Sequence, residues 1–316
     1  MPAVVASSLA LACESPLSAL SPAGSQAQEI ATLFWWMVAG AALIWAVVNG
    51  LALYAIRSRP RDPRKTRLFI IGGGAVLPTA VLTVLLIVGL GRVPGLFAPG
   101  EAGGPVVRIS GEQWWWRVQY QMDDGTQFEL ANELYLPVGR RLSLVLESAD
   151  VIHSFWVPSL GGKMDLIPGR MNRWALEPTR TGVFMGICAE YCGLSHAKMM
   201  LHVVVVEPSA FEAWAERQAA DAAPAQVPGA RVFATNGCPA CHTLRGTTAK
   251  GVIGPDLTHV GGRVALGAGV LPNTEKGFRE WLLEVARLKP GVHMPTFDML
   301  SDTELSELAS YLEGLE

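Results

Sequence analysis

The sequence has little charge for its length and no excess of basic residues. Only 17% of its 316 residues are charged and 50% are hydrophobic, whereas soluble proteins average about 25% charged residues. This composition argues against a purely cytosolic enzyme and against a disordered chain. The 25 basic and 28 acidic side chains give a formal net charge of -3, so the sequence offers no concentrated basic surface and we expect no nucleic-acid partner.

Cysteine is also scarce. The chain has one lone cysteine and two close pairs: Cys13, Cys188, Cys192, Cys238 and Cys241. Five are too few for a disulfide-stabilised scaffold, and closely spaced pairs are typical of metal or cofactor sites. We therefore expect no disulfide.

Two long apolar runs predict transmembrane helices at residues 30–56 and 68–91. Neither run contains a charged residue, and each is long enough to span a bilayer. Trp35 and Trp36 lie near one end of the first run, and aromatic side chains favour the membrane interface. Two buried core helices are the weaker alternative, so we expect a transmembrane hairpin over residues 29–92.

The loop between the two runs predicts the orientation. Residues 57–67, RSRPRDPRKTR, carry six basic residues and one acidic residue, and the positive-inside rule places such a loop in the cytoplasm. Both termini, and the whole region after residue 92, are then expected on the periplasmic side of a bacterial inner membrane.

The first 28 residues leave two interpretations open. The stretch LALAC, residues 9–13, resembles a lipoprotein signal whose Cys13 becomes lipidated. The segment lacks the basic residue that a signal peptide carries. An unprocessed and disordered N-terminus is therefore the alternative.

The exported region divides into two parts. Residues 101–207 contain short alternating apolar stretches separated by Gly, Pro and Asp, which predicts a β-sandwich or barrel. Residues 208–228 begin as a helix and end in an Ala- and Pro-rich linker. Residues 229–316 form the second domain.

Helical segments are predicted in that second domain at 229–236, 274–287 and 301–315. Ser301 and Glu304 have the spacing of a capping box at the start of the last helix. Gly- and Pro-rich loops separate the helices, so the domain is expected to be all-α.

The densest group of potential ligands lies in CAEYCGLSHAKM, residues 188–199. Cys188, Cys192, His196 and Met199 follow one another at spacings of four, four and three. Thiolate, imidazole and thioether donors together are typical of a copper electron-transfer site, whereas zinc has little use for the methionine. Buried structural cysteines are the weaker alternative.

The second cysteine changes the expected number of metal ions. Two thiolates can bridge two copper ions, and each ion then needs its own histidine. His153, in DVIHSFWVP between two predicted strands, is the best second histidine because His202 lies within a strand pattern.

Residues 30–206 resemble subunit II of the haem-copper cytochrome c oxidases, which combines a two-helix hairpin with a cupredoxin-like outer domain. The matching stretches are GEQWWW, DVIHSFWVPSLGGKMDLIPGR and CAEYCGLSHAKM. The resemblance implies CuA, a mixed-valence dinuclear copper centre bridged by the two cysteines. The implied ligands are His153, Cys188, Glu190 through its backbone carbonyl, Cys192, His196 and Met199.

The resemblance implies two further roles. In the family, the carboxylate at the position of Glu190 also reaches a magnesium ion at the interface with subunit I; an ordinary surface carboxylate is the alternative. Trp114 matches the tryptophan that passes electrons from cytochrome c into CuA. A packed core indole is the alternative there, since Trp115 and Trp116 follow.

A second cofactor is predicted from CPACH, residues 238–242. In a C-x-x-C-H motif the two thiols add to the haem vinyl groups and the histidine binds the iron, so Cys238, Cys241 and His242 indicate a covalent haem c. A thioredoxin-like redox motif would need a βαβ context that is missing from this part of the sequence.

The second axial ligand is expected some tens of residues later. HMPTF, residues 293–297, offers Met294 and resembles the axial-methionine loop of class I cytochromes c. GPDLTHVGGR, residues 254–263, resembles their proximal loop, in which the carbonyl of Pro255 would hold the proximal imidazole. The rivals of Met294 are Met299, His259 and His293.

Together these features predict a multidomain membrane protein with a transmembrane hairpin, a cupredoxin-like β-sandwich or barrel and an all-α class I cytochrome c domain. The resemblance implies electron entry into a terminal respiratory cytochrome c oxidase, from haem c through CuA to the haem-copper site of subunit I. Oxygen would be reduced to water there, coupled to proton translocation, and no catalytic residue is expected in this chain. The expected partners are subunits I and III, membrane lipid, and an upstream cytochrome c or cytochrome bc1-type complex.

Three alternatives belong to other classes. A quinol oxidase subunit would keep the fold but lack the copper ligands, all of which are present. A nitric oxide reductase can also have a CuA subunit, but such enzymes are rarer. Nitrous oxide reductases also use CuA, but they lack the anchored hairpin as a rule. The non-enzyme alternative is a non-catalytic membrane protein that binds copper and haem, such as a copper carrier or sensor without redox turnover. The haem argues against it, because a carrier has no use for a covalent haem.

Overall fold

The computed structural model describes residues 15, 17–57, 62–96, 100, 104–222 and 226–316. Cys13 and the LALAC stretch lie outside the described residues, as do residues 223–225 of the predicted linker. The chain divides into two compact units. One unit is residues 29–98, and the other combines residues 1–28 with residues 99–316.

Two long apolar helices make up most of residues 29–98. The first, α1, is Ser25–Arg57; the second begins as α2 (Pro63–Ile71), passes through a π-helical turn (Gly72–Val76) and continues as α3 (Leu77–Leu96). Both are long and apolar enough to cross a membrane. Their bounds enclose the two predicted runs.

The start of the second helix and its π-helical turn follow from its sequence. The Asp62 side chain accepts a hydrogen bond from the Arg64 N–H at 2.9 Å, and Pro63 occupies the first helical position, which is a favourable start. The π-turn precedes Pro78, which has no N–H to donate to the carbonyl one α-helical turn earlier.

The first domain is a sandwich of two five-stranded sheets, as predicted. The strands are β1 (Val106–Glu112), β2 (Trp115–Gln121), β3 (Gln127–Ala131), β4 (Glu133–Pro137), β5 (Leu142–Ser148), β6 (His153–Trp156), β7 (Lys163–Leu166), β8 (Asn172–Leu176), β9 (Gly182–Cys188) and β10 (Met200–Val206). The sheet orders are β3-β2-β1-β5-β8 and β4-β10-β9-β6-β7. Alternate residues of β5 and β10 are buried, because successive side chains of a strand point to opposite faces.

The described residues from 17 through the first turn of α1 pack against this sandwich. The Ala23 N–H donates to the Ser159 carbonyl at 2.6 Å, and Gln26 Nε2 donates to the Ala175 carbonyl at 3.0 Å. Ala23 and Ala27 are buried. A disordered N-terminus therefore does not describe residues 17–28.

The second domain follows a helix that packs on the sandwich. In α4 (Pro208–Ala219), Trp214 stacks on Tyr135 with ring centroids 4.1 Å apart. The helices of the second domain are α5 (Pro228–Thr235), α6 (Glu275–Leu288) and α7 (Asp302–Glu313). A Cβ at Gly229 would lie 2.0 Å from the Glu307 carbonyl oxygen, so only glycine allows α5 and α7 to cross this closely.

Two details of this domain refine the prediction. The Ser301–Glu304 capping box is present and begins α7. A two-residue ladder, β11 (Ala265–Leu266) with β12 (Leu271–Pro272), adds to the expected helices. Strands of two residues are too short for sequence periodicity to reveal.

Candidate functional site

Five of the six predicted copper ligands, counting the Glu190 carbonyl, lie in the connection between β9 and β10, residues 188–199, here called the copper-ligand loop. Cys188 is the last residue of β9, and Met199 immediately precedes β10. Antiparallel pairing of these strands places the two residues side by side, and the Cys188 N–H donates to the Met199 carbonyl at 3.1 Å. Cys192 and His196 lie in the loop between them.

His153 reaches the same place from another strand. It opens β6 rather than lying between two strands, and β6 pairs with β9 so that Phe155 lies opposite Cys188. Its buried Nδ1 lies 3.8 Å from Cys188 Sγ. Gly111 leaves room for the imidazole, because a Cβ there would lie 2.6 Å from His153 Cδ2.

The donor atoms are spaced as ligands of shared metal ions are. The Sγ atoms of Cys188 and Cys192 lie 3.7 Å apart, far beyond the length of about 2.05 Å of a disulfide. Cys192 Sγ lies 3.5 Å from His196 Nδ1 and 3.9 Å from Met199 Sδ. Cys188 Sγ lies 3.2 Å from the Glu190 carbonyl oxygen.

These separations test whether metal ions fit the residues present. Sulfur and nitrogen donors lie about 2.0–2.3 Å from a first-row metal ion, which in tetrahedral geometry puts neighbouring donors roughly 3.3–3.8 Å apart. The observed separations lie in or close to that range. The site can therefore hold soft transition-metal ions without rearrangement.

The protonation of these side chains also favours metal binding, which requires thiolates. The hydrogen bond with Cys192 lowers the pKa of the Cys188 thiol to about 3, against the opposing effect of burial. The same hydrogen bond, together with burial, raises the pKa of Cys192. The pair thus gives up its first proton readily, and a metal cation would displace the second.

Asp150 is a site residue that sequence reasoning missed. Its Oδ1 lies 2.8 Å from His153 Nε2, and its Oδ2 accepts from the Gln113 N–H at 2.6 Å. A carboxylate three residues before a predicted ligand is the signal that could have identified it. Such a carboxylate orients a ligating imidazole and increases its basicity.

Trp114 lies against the copper-ligand loop. Its indole is 5% exposed, and Nε1 donates to the Cys192 carbonyl at 2.9 Å. A Cβ at Gly291, in the helical domain, would lie 2.6 Å from Trp114 Cη2. The ring is therefore held between the copper-ligand loop and the second domain, whereas Trp116 is a core side chain packed on Phe155.

The carboxylate of Glu190 lies apart from the sulfur atoms. The residue is exposed, and its Oε1 accepts from the Tyr191 N–H at 3.1 Å. The backbone carbonyl of Glu190 therefore lies beside the Cys188 thiol, whereas its side chain lies at the surface.

The CPACH residues follow α5 and begin the loop after it. Cys238 is buried and Cys241 half-buried, and both thiols are free. His242 Nδ1 lies 2.8 Å from the Pro255 carbonyl oxygen, so Nδ1 carries the proton and the neutral ring presents Nε2 to a metal. Burial lowers the pKa of His242, which favours that neutral form.

Close packing of the backbone against the His242 imidazole supports haem attachment. A Cβ at Gly254 would lie 2.5 Å from His242 Cε1, so the proximal loop approaches the ring as closely as glycine permits. Two free thiols, an oriented histidine and this close backbone approach fit a covalently attached haem.

Among the possible distal ligands, Met294 is the one packed against the core of the helical domain. Met299 is 70% exposed, and His293 is exposed as well. His259 Nε2 lies 3.0 Å from the Ala220 carbonyl oxygen. The surroundings of Met294 are therefore those best suited to a ligand in the domain interior.

The fold and the site define a class: a membrane-anchored protein that joins a cupredoxin-like sandwich to a cytochrome c domain. The model of the cytochrome c oxidase subunit II periplasmic domain matches residues 122–207, and that of cytochrome c matches residues 226–316. Cytochrome c oxidase subunit 2 of Alkalihalophilus pseudofirmus is 32% identical over 96% of this chain and 92% of that protein. The chain belongs to the cytochrome c oxidase subunit 2 family.

Other relatives are similar over shorter stretches. Cytochrome c oxidase subunit 2 of Bacillus subtilis is 31% identical over 67% of this chain and 62% of that protein. A crystal structure of the periplasmic domain of subunit II of cytochrome oxidase from Bradyrhizobium japonicum is 32% identical. The match covers 39% of the present chain and 96% of the Bradyrhizobium domain, with a TM-score of 0.35.

Proposed function

We propose that this chain is the electron-entry subunit of a terminal respiratory cytochrome c oxidase and that it assembles with subunits I and III. One observation carries the proposal. The thiols of Cys188 and Cys192 lie 3.7 Å apart, and each is close to a different histidine. A mononuclear copper site has no need of that second cysteine.

The residues of the copper-ligand loop and His153 would hold the two ions of CuA. Cys188 and Cys192 would bridge them, while His153 and His196 would each complete one ion. Met199 and the Glu190 carbonyl would be the weaker ligands. The exposed Glu190 carboxylate is then free to bind magnesium at the interface with subunit I.

In the second domain, Cys238 and Cys241 would form the thioether links to haem c, with His242 and Met294 as axial ligands and Pro255 orienting the proximal ring. When bound, the haem and the copper pair supply one-electron carriers, in the proposed order haem c, CuA and the haem-copper site of subunit I. The partner would reduce oxygen to water and translocate protons. Trp114 supports this order because it contacts both domains.

The membrane arrangement is part of the proposal. Helix α1 and the helix formed by α2 and α3 would cross the bacterial inner membrane, with the basic loop of residues 57–67 in the cytoplasm. Both redox domains would then face the periplasm and receive electrons from a cytochrome c or a cytochrome bc1-type complex. Cys13 is the proposed lipidation site.

Metal analysis with an EPR spectrum tests the copper proposal on the full-length chain after haem attachment and copper loading. We expect two coppers per haem and a multiline signal from an electron shared by two ions. In a Cys192→Ser variant we expect the multiline signal to disappear while the haem content stays the same. One copper per haem with a four-line signal in the natural chain would contradict the dinuclear site.

A further inference from the structure

The loops that carry the two groups of proposed ligands contact each other directly. Residues 288–294, here called the methionine loop, end at Met294. The Ser195 hydroxyl, only 1% exposed, donates to the Pro290 carbonyl at 2.8 Å. This hydrogen bond joins the copper-ligand loop to the methionine loop within a few residues of both proposed cofactor sites.

A second side chain makes a similar contact. The Lys198 ammonium donates to the carbonyl of Leu288, the last residue of α6. A cation at a helix C-terminus is also favoured by the helix dipole. Because both acceptors are backbone carbonyls, Ser195 and Lys198 hold the path of the methionine loop rather than the position of one side chain.

Near these two hydrogen bonds, the methionine loop approaches Trp114. Gly291 has φ +87°, a conformation that favours glycine, and its Cβ would lie 2.6 Å from Trp114 Cη2 and 3.2 Å from Leu194 Cδ1. Any larger residue would push the methionine loop away from the indole. Close contact between the domains therefore depends on the absence of a side chain at this position.

We propose that Ser195, Lys198 and Gly291 form an interdomain latch that holds the methionine loop on Trp114 and so fixes how the two domains dock. They are positioning residues, since none of them is a proposed ligand. The functional consequence rests on the proposed electron route from haem c to CuA. With the domains latched, that transfer needs no search for a docked pose, so its rate is independent of viscosity and ionic strength.

The test uses the full-length chain in its assembled oxidase, with haem and copper loaded. A laser flash excites an added ruthenium photoreductant, which passes an electron to haem c and is itself restored by a sacrificial amine donor. The reoxidation of haem c by CuA is then followed by absorbance with and without glycerol. In G291A and in the double variant S195A/K198M, we expect transfer to be roughly tenfold slower or more, because small displacements of reacting groups have large rate effects. We also expect the rate to become viscosity-dependent.

Matched variants separate the latch from general damage. Gly125 has the same φ of +87°, but a Cβ there meets no atom within 4 Å among the described residues, so G125A should keep the natural rate. K276M removes an exposed lysine from α6 and should do the same. In the S195A background, K198R keeps a donor and should restore most of the rate lost in S195A/K198M.

Hydrogen–deuterium exchange of the full-length chain, with haem attached and copper loaded, gives a second readout. The amides of Lys289, Gly291 and Val292 should exchange faster in both latch variants than in G125A. Natural exchange and natural transfer rates in both latch variants would overturn the latch. Failure of the natural protein to pass electrons from haem to copper would instead contradict the proposed function. Hydrogen–deuterium exchange would still decide whether the latch exists, even in a variant that loses copper.

Discussion

Nε2 of His153 lies 2.8 Å from Oδ1 of Asp150, while Nδ1 on the other side of the ring faces Cys188. Burial by itself lowers the pKa of His153, but hydrogen bonds with Cys188 and Asp150 outweigh burial and raise it. The carboxylate thus holds a buried imidazole in the orientation and tautomer that direct Nδ1 toward the two thiols.

Removing this carboxylate should weaken copper binding. In Asp150→Ala we expect about a 10- to 100-fold loss of copper affinity, the usual effect of losing a group that orients a metal ligand. Competition with a copper chelator measures the affinity. Asp123→Ala, which removes an exposed aspartate from the turn between β2 and β3, is the control. Equal affinities in both variants would show that Asp150 does not support His153.

The two methionines near the end of the chain should respond differently to substitution. Met294→Ala should lower the haem reduction potential and let the ferric haem bind cyanide, because a methionine ligand raises the potential and fills the sixth position. Met299→Ala should leave both properties unchanged, since Met299 is exposed. A redox titration and a cyanide titration would refute the assignment if Met299→Ala gave the larger effects.

Glu133 should make stability fall as the pH rises. It is 3% exposed, and its carboxylate accepts a hydrogen bond from the Val264 N–H of the second domain. Burial raises its pKa to about 7, against the lowering effects of that hydrogen bond and of Arg263. In the unfolded chain the pKa is about 4.3, so between these values the folded state binds more protons.

Stability is therefore lost progressively as the pH rises from about 4.3 to about 7, and the loss is complete above that window. Glu133→Gln should remove this loss. Between pH 4 and pH 8, the free energy of unfolding of the variant should therefore rise relative to that of the natural chain by up to about 4 kcal/mol. Melting temperatures at both pH values measure the difference. Glu212→Gln, at an exposed site in α4, keeps Glu133 and should lose stability with pH as the natural chain does. If the melting temperatures of Glu133→Gln and the natural chain differed by the same amount at both pH values, the prediction would be contradicted.

The capping box of α7 should contribute measurably to the second domain. Ser301 Oγ accepts from the Glu304 N–H at 3.3 Å, and Glu304 Oε2 accepts from the Ser301 N–H at 2.9 Å. Ser301→Ala should destabilise this domain by about 1 kcal/mol, measured by denaturant unfolding followed through haem absorbance. Thr303→Ala, at an exposed helical position, should change stability much less, and equal losses would argue against the cap.

Much of this protein was determined by patterns local in the sequence. The copper-ligand loop carries five proposed ligands within twelve residues, counting the Glu190 carbonyl, and CPACH carries three within five. The apolar runs predicted both long helices, and Ser301 with Glu304 predicted the start of α7. Each of these features depends on residues a few positions apart, so spacing and side-chain chemistry suffice to recognise it.

Only the tertiary structure decided the contacts between distant segments. The pairing of β6 with β9 brings His153 and Asp150 to the thiols, and domain packing sets Gly291 against Trp114. The packing of residues 17–28 on the sandwich was likewise invisible in their composition. Such contacts depend on strand register, on side-chain volume and on the room that glycines leave, quantities that exist only once the chain is folded.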